Sequence, residues 1–95
     1  MMYREIIRTC SNPAVANAAV ASIGGDFARH FADEANRRQL PRGILAANLV
    51  RRFAAEADEM DLHGVSAAAR NSELPLLSGL RHILESAIER EAQAA

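Results

Sequence analysis

Ninety-five residues with 49% hydrophobic and 24% charged side chains have the size and composition of one ordinary domain, 1–95. A net charge of −1 argues against an unusually basic nucleic-acid binder, and no run of about 18–20 apolar residues provides a membrane span. The single cysteine, Cys10, excludes an intramolecular disulfide and a cysteine-cluster zinc site.

The opening MMYREIIRTC places Tyr3, Ile6, Ile7 and Cys10 at helical spacing. Ser11-Asn12-Pro13 then supplies a cap and a helix-starting proline, so a short first helix ends there. From Pro13 to Arg38, Val15, Ala19, Ile23, Phe27, Phe31 and Ala35 recur every four positions. Gly24-Gly25 interrupts this stretch, and Asp26 would cap a second half if it split. Because the stripe keeps its phase, one long, kinked helix is expected, with the glycines letting another backbone approach.

Arg37 to Gly43 ends that helix, with cations at its negative end and Pro41 disfavouring helix at Leu40. Ile44, Leu45, Leu49, Val50, Phe53, Ala57 and Met60 make the next stripe, which runs out at Asp61-Leu62-His63-Gly64, where Gly64 is expected as a C-terminal cap. Val65 to Ser72 has helical propensity and few large anchors, and is expected to be a short turn or ordered loop. Leu76, Leu77, Leu80, Ile83, Leu84, Ala87 and Ile88 form the last stripe after Pro75. The expected fold is all-α: a small bundle of three major helices plus a short N-terminal helix.

Three sets of His and carboxylate share helix faces: Asp26, His30 and Glu34; Glu56, Glu59 and His63; His82, Glu85 and Glu89. Helical bundles build metal sites from such sets, but His82-x-x-Glu85 has the reverse of the di-metal order and lacks a second copy. Solvated ion pairs account for all three, and no metal, cofactor or catalytic residue is expected. Cys10 has no flanking base that would make it a nucleophile. Gly24-Gly25 lacks the spacing and the Lys-Ser/Thr of a phosphate loop.

The one surface cluster with functional reach is Arg37, Arg38, Arg42, Arg51 and Arg52, candidate contacts for nucleic acid or another anion. A solvated face balanced by Asp33, Glu34, Glu56 and Asp58 explains it more cheaply. All 11 cationic side chains are arginine, which fits a GC-rich coding sequence before it fits selection for anion binding.

The stretch ASIGGDFARHFADEANRRQLPRGILAANLVRRFAAEA resembles the paired helices of ribbon-helix-helix DNA-binding proteins. The resemblance implies a dimer whose strands read bases, here at Ala18-Ala19-Val20-Ala21-Ser22. Those positions offer almost no hydrogen-bond donors, so it supports dimeric helical packing more than DNA reading.

With only 4% aromatic residues and much alanine, three wide apolar stripes exceed what one small domain is expected to enclose. A homodimer through Phe27, Phe31, Leu49, Phe53, Leu80 and Leu84 is therefore expected. The functional expectation is a non-enzymatic, homo-oligomeric, cytoplasmic protein-interaction module, with a protein partner and no membrane. A small DNA-binding regulator is the alternative.

Overall fold

Local caps explain most of the helix boundaries in the computed structural model, which describes residues 3–94. Helix α1, Tyr3–Cys10, closes with the Ser11 hydroxyl donating to the Ile7 carbonyl at 2.6 Å. The Asn12 side chain then accepts from the Ala14 and Val15 amides, and Pro13 starts α2, Pro13–Ile23. Both boundaries match the sequence expectation. Ala18 to Ser22 lie inside α2, with Ala19 and Val20 buried, so they form no intermolecular ribbon and the ribbon-helix-helix resemblance fails where base reading would occur.

The expected long helix from Pro13 to Arg38 is two helices. Gly24 adopts φ 66° and ψ −161°, a region essentially reserved for glycine, and Gly25 has φ 61°. Helix α3, Gly25–Arg37, leaves in a new direction from that turn. The glycines serve backbone conformation and not close approach: a Cβ on Gly25 would meet nothing within 4 Å, and one on Gly24 would meet only carbonyls of its own α2 turn.

Helix α3 ends with Gln39 in the left-handed region at φ 58°. The Leu40 amide reaches the Ala35 carbonyl and the Gln39 amide reaches the Asn36 carbonyl, both at 3.0 Å, the paired bonds of a Schellman motif. Glutamine carries a steric cost there that glycine lacks. Gln39→Gly should therefore stabilise the fold by about 0.5–1 kcal/mol after the extra freedom of the unfolded glycine is counted. Thermal unfolding is the check, and a lowered Tm would contradict the cap.

The next stripe also divides. Helix α4, Arg42–Glu56, stops at extended Ala57, and α5, Glu59–Arg70, begins from a reciprocal capping box between Asp58 and Asp61. Gly64 caps nothing. It lies inside α5, beneath the His82 ring, where an added Cβ would come within 2.7 Å of Nε2. The region expected to be a turn or loop is helical to Arg70, anchored by buried Val65 and Ala69. The last helix, α6, spans Pro75–Ala94. Among the described residues the fold is thus all-helical with six helices, not the expected four, and no helix is long and apolar enough to cross a membrane.

At the centre lie α4, which touches α1, α2, α3 and α6, and α6, which touches α1, α2, α4 and α5. Their large buried side chains are Leu45, Leu49, Val50, Phe53, Leu80, Ile83 and Leu84, joined by Ile6, Val20, Phe31 and Val65. Small residues set the α2–α4 spacing. Ala16 and Ala19 face the α4 surface containing buried Gly43, Ala46 and Ala47, and a Cβ on Gly43 would lie 2.4 Å from the Pro13 carbonyl oxygen. Close packing of small groups recovers dispersion that an alanine-rich core would otherwise lack.

Six shorter helices also remove the surplus of apolar face that three long ones would carry. The accessible surface is 5686 Å², near the ~5,400 Å² expected for a compact monomer of this mass. Enclosure of the core does not require a second subunit.

Candidate functional site

Helix α3 packs on α2 and α4 but stands off from α6, so that no Cα atoms of the two come within 8 Å. Between them runs a groove of about 420 Å³. Its apolar floor is Phe27, Phe31 and Ile88. The two rings stack at 5.9 Å with 20° between their planes. On α3 a four-residue step puts both rings on one face, and on α6 the steps from Leu77 to Arg81, Glu85 and Ile88 turn one face toward the groove.

The rim is charged. Asp26 and Glu34 line the α3 side, and Glu85 and Glu89 line the α6 side. Arg81 crosses between them, its guanidinium carbon 5.4 Å from the Phe27 centroid and its Nε 3.4 Å from Glu85. Beyond Arg81, a smaller groove of about 160 Å³ continues along Ile23, Leu74 and Leu77. Leu74 is 61% exposed. Apolar side chains therefore lie to both sides of one arginine.

Of the six side chains expected at a dimer interface, Phe31, Leu49, Phe53, Leu80 and Leu84 are buried in the chain's own core. Only Phe27 keeps surface to offer a partner, because it lies at the groove mouth and not beneath a neighbouring helix. The sequence stripes located the apolar faces but not which of them are covered.

The five arginines do not assemble into one open basic face. Arg37 and Arg38 both pair with Glu34, Arg38 also donates to Glu91 at 2.6 Å, and Arg52 pairs with the other oxygen of Glu91. The hydrogen bonds that Arg38 donates to Glu91 and Glu34 push its pKa still higher. Arg42 donates to the Asn17 side-chain oxygen at 2.8 Å, and Arg51 to the Ser11 carbonyl at 2.6 Å. Two carboxylates thus pair with three guanidiniums and offset two of their three charges, and the other two arginines brace α2 and the α1–α2 connection against α4 through neutral oxygens. Of the balancing charges expected from the sequence, Asp33, Glu34, Glu56 and Asp58, Glu34 does pair with the cluster, and Glu91, which was not among them, is brought near only by the α4–α6 packing.

None of the three His-carboxylate sets gathers into a metal-holding group among the described residues. Asp26 pairs with Arg29, Glu34 with the two arginines, and His82 covers Gly64. Asp61, beside the second set, accepts from Arg90 at 2.7 Å. That bond, with the capping amide of Asp58, holds its carboxyl below the usual range.

Cys10 is fully buried, and desolvation pushes its thiol from 9.0 up to about 11. A thiol that resists ionisation is a poor nucleophile. It should be unreactive to a disulfide reagent at pH 8 until the chain is unfolded. The pKa is raised on folding, so this contribution to stability is intact below pH 9.0 and is lost as pH rises toward about 11, because the unfolded thiol ionises first. The slope approaches about 1.4 kcal/mol per pH unit. Denaturant melts of the parent and Cys10→Ala between pH 8 and 11 should converge; parallel curves would refute it.

No known protein family, no curated protein and no solved structure matches the chain.

Proposed function

We propose that this protein is a non-enzymatic helical interaction module that takes an amphipathic helix of a partner protein into the α3–α6 groove. The observation carrying this reading is the exposed, aromatic-floored channel between two helices whose Cα atoms stay more than 8 Å apart. Helix-in-groove recognition needs an apolar trough of a few turns with polar edges, which is what Phe27, Phe31 and Ile88 provide under their charged rim. The buried, hard-to-ionise thiol adds no nucleophile, and the single cysteine fits a reducing, cytoplasmic setting.

A foreign helix is favoured over a second copy on grounds of surface supply. The expected interface side chains are mostly used inside the chain, and the accessible surface is close to the value for a compact chain of this mass. The DNA-binding alternative is less favoured because three arginines of the basic cluster are held in ion pairs with Glu34 and Glu91, and Ala18 to Ser22 are helical.

Selection from a random peptide library on the whole protein, with Phe27→Asp as the counter-selected surface, tests the reading. Enriched sequences should carry apolar residues at i, i+3 or i+4, and i+7, and should lose binding to Phe27→Asp. Enrichment indifferent to Phe27 would overturn it. So would a stable dimer in sedimentation, well above 10.3 kDa, that Phe27→Asp dissociates, since a second copy would then fill the groove.

A further inference from the structure

The groove's charges say more about its occupant than its apolar floor does. Its rim holds four carboxylates, Asp26, Glu34, Glu85 and Glu89, against two guanidiniums, Arg37 and Arg81. Asp26 and both oxygens of Glu34 are already committed to arginines of α3 and its C-terminal cap. On the α6 side the commitment is weaker. Glu85 has only the 3.4 Å contact with Arg81, and Glu89 makes no ion pair among the described residues. The α6 rim therefore presents under-neutralised negative charge beside an aromatic floor.

Arg81 shows what such a surface accepts. Its guanidinium lies over the Phe27 ring and beside Glu85, a position that combines cation–π attraction with an acidic neighbour. The chain has laid one of its own cations between the aromatic floor and a smaller groove in which Ile23, Leu74 and Leu77 alternate with Ser22, Ser72 and Ser78.

We infer that the α3–α6 groove selects a basic amphipathic helix, whose apolar stripe runs along Ile88, whose flanking cations meet Glu85 and Glu89, and one of whose cations replaces Arg81 over Phe27. This inference rests on the groove being a helix-docking site and adds the charge of the ligand. From Leu77 to Glu89 the α6 wall runs roughly 18 Å at 1.5 Å per residue, so the occupant contacts it over about three turns. Like charges on an acidic helix would face Glu85 and Glu89 and be rejected.

Two synthetic helical peptides of about 14 residues, sharing one leucine stripe and carrying either lysine or glutamate elsewhere, serve as probes of the isotope-labelled whole protein. The lysine peptide should shift the amide resonances of Phe27, Phe31 and Ile88 and weaken as salt rises. Glu85→Gln with Glu89→Gln should weaken it roughly three- to tenfold, the scale of two exposed ion pairs. Both sites are exposed, so the double variant should keep the parent Tm. Arg81→Ala should bind the lysine peptide about two- to fivefold more tightly, because the resident cation no longer competes.

If the glutamate peptide occupies the groove as well as or better than the lysine peptide, the charge inference is overturned while helix docking stands. Lysine-peptide binding indifferent to Glu85 and Glu89, or weakened by Arg81→Ala, also overturns it. If neither peptide moves the groove resonances, the docking reading falls with it.

Discussion

Replacing Phe31 by alanine should destabilise the protein by about 3–5 kcal/mol, the usual loss for a fully buried aromatic ring. Phe31 is 2% exposed, and it and Ala35 are the only buried residues of α3. The ring also loses its stack on Phe27, worth about 0.5–1.5 kcal/mol beyond area in comparable pairs. Against a total stability of about 5–15 kcal/mol for a domain of this kind, that is a large fraction. The loss should also be unevenly distributed. Helix α3 joins α2 through the glycine turn, brings its backbone close only to α2 and α4, and meets α6 through the Arg81 side chain over Phe27, so without Phe31 it should open locally before the α4–α6 centre unfolds. Denaturant titration and amide exchange by helix are the measurements. A variant within about 1 kcal/mol of the parent, or one whose α3 amides stay as protected as those of α4, would show that α3 is not held by this ring.

Gly43→Ala should destabilise by about 1–3 kcal/mol, although alanine ordinarily improves a helix by about 1 kcal/mol over glycine. Packing decides the sign. The new Cβ would lie 2.4 Å from the Pro13 carbonyl oxygen and 2.8 Å from Cβ of Asn17, and the nearer atom is backbone and not the end of a flexible side chain. To make room, α2 must move off α4, spoiling the contact of Ala16 and Ala19 and the Arg42–Asn17 hydrogen bond. A thermal melt that shifts upward would mean that the two helices are not in close contact at this point.

Helix boundaries were legible wherever one local device set them. Asn12 before Pro13, and the cations and Pro41 after α3, were read correctly because caps act within a few residues. The break at Gly24-Gly25 was misjudged for a physical reason: the apolar stripe keeps its phase on both sides, and periodicity carries no information about a backbone dihedral between two segments. The split before α5 did have a local signal, Asp58 three residues ahead of Asp61, a carboxylate version of the usual capping box. It was masked by the continuing stripe of Ala57 and Met60. In the candidate site, Phe27 and Phe31 were visible as apolar stripe residues, and His30, Glu34, Glu85 and Glu89 as charged helix faces. Their convergence on one groove was not.

By itself, the sequence determined that this chain is helical, where α2 begins and α3 ends, and which faces must leave water, because those properties depend on residues within one or two turns. Tertiary structure alone decided which faces were covered by the chain itself, and therefore that Phe31, Leu49, Phe53, Leu80 and Leu84 are core while Phe27 lines an open groove. It likewise decided that Glu91 pairs with Arg38 and Arg52, partners 53 and 39 residues away. Burial and ion pairing at such separations depend on how the helices meet, and a helical stripe specifies a face to be covered without specifying what covers it.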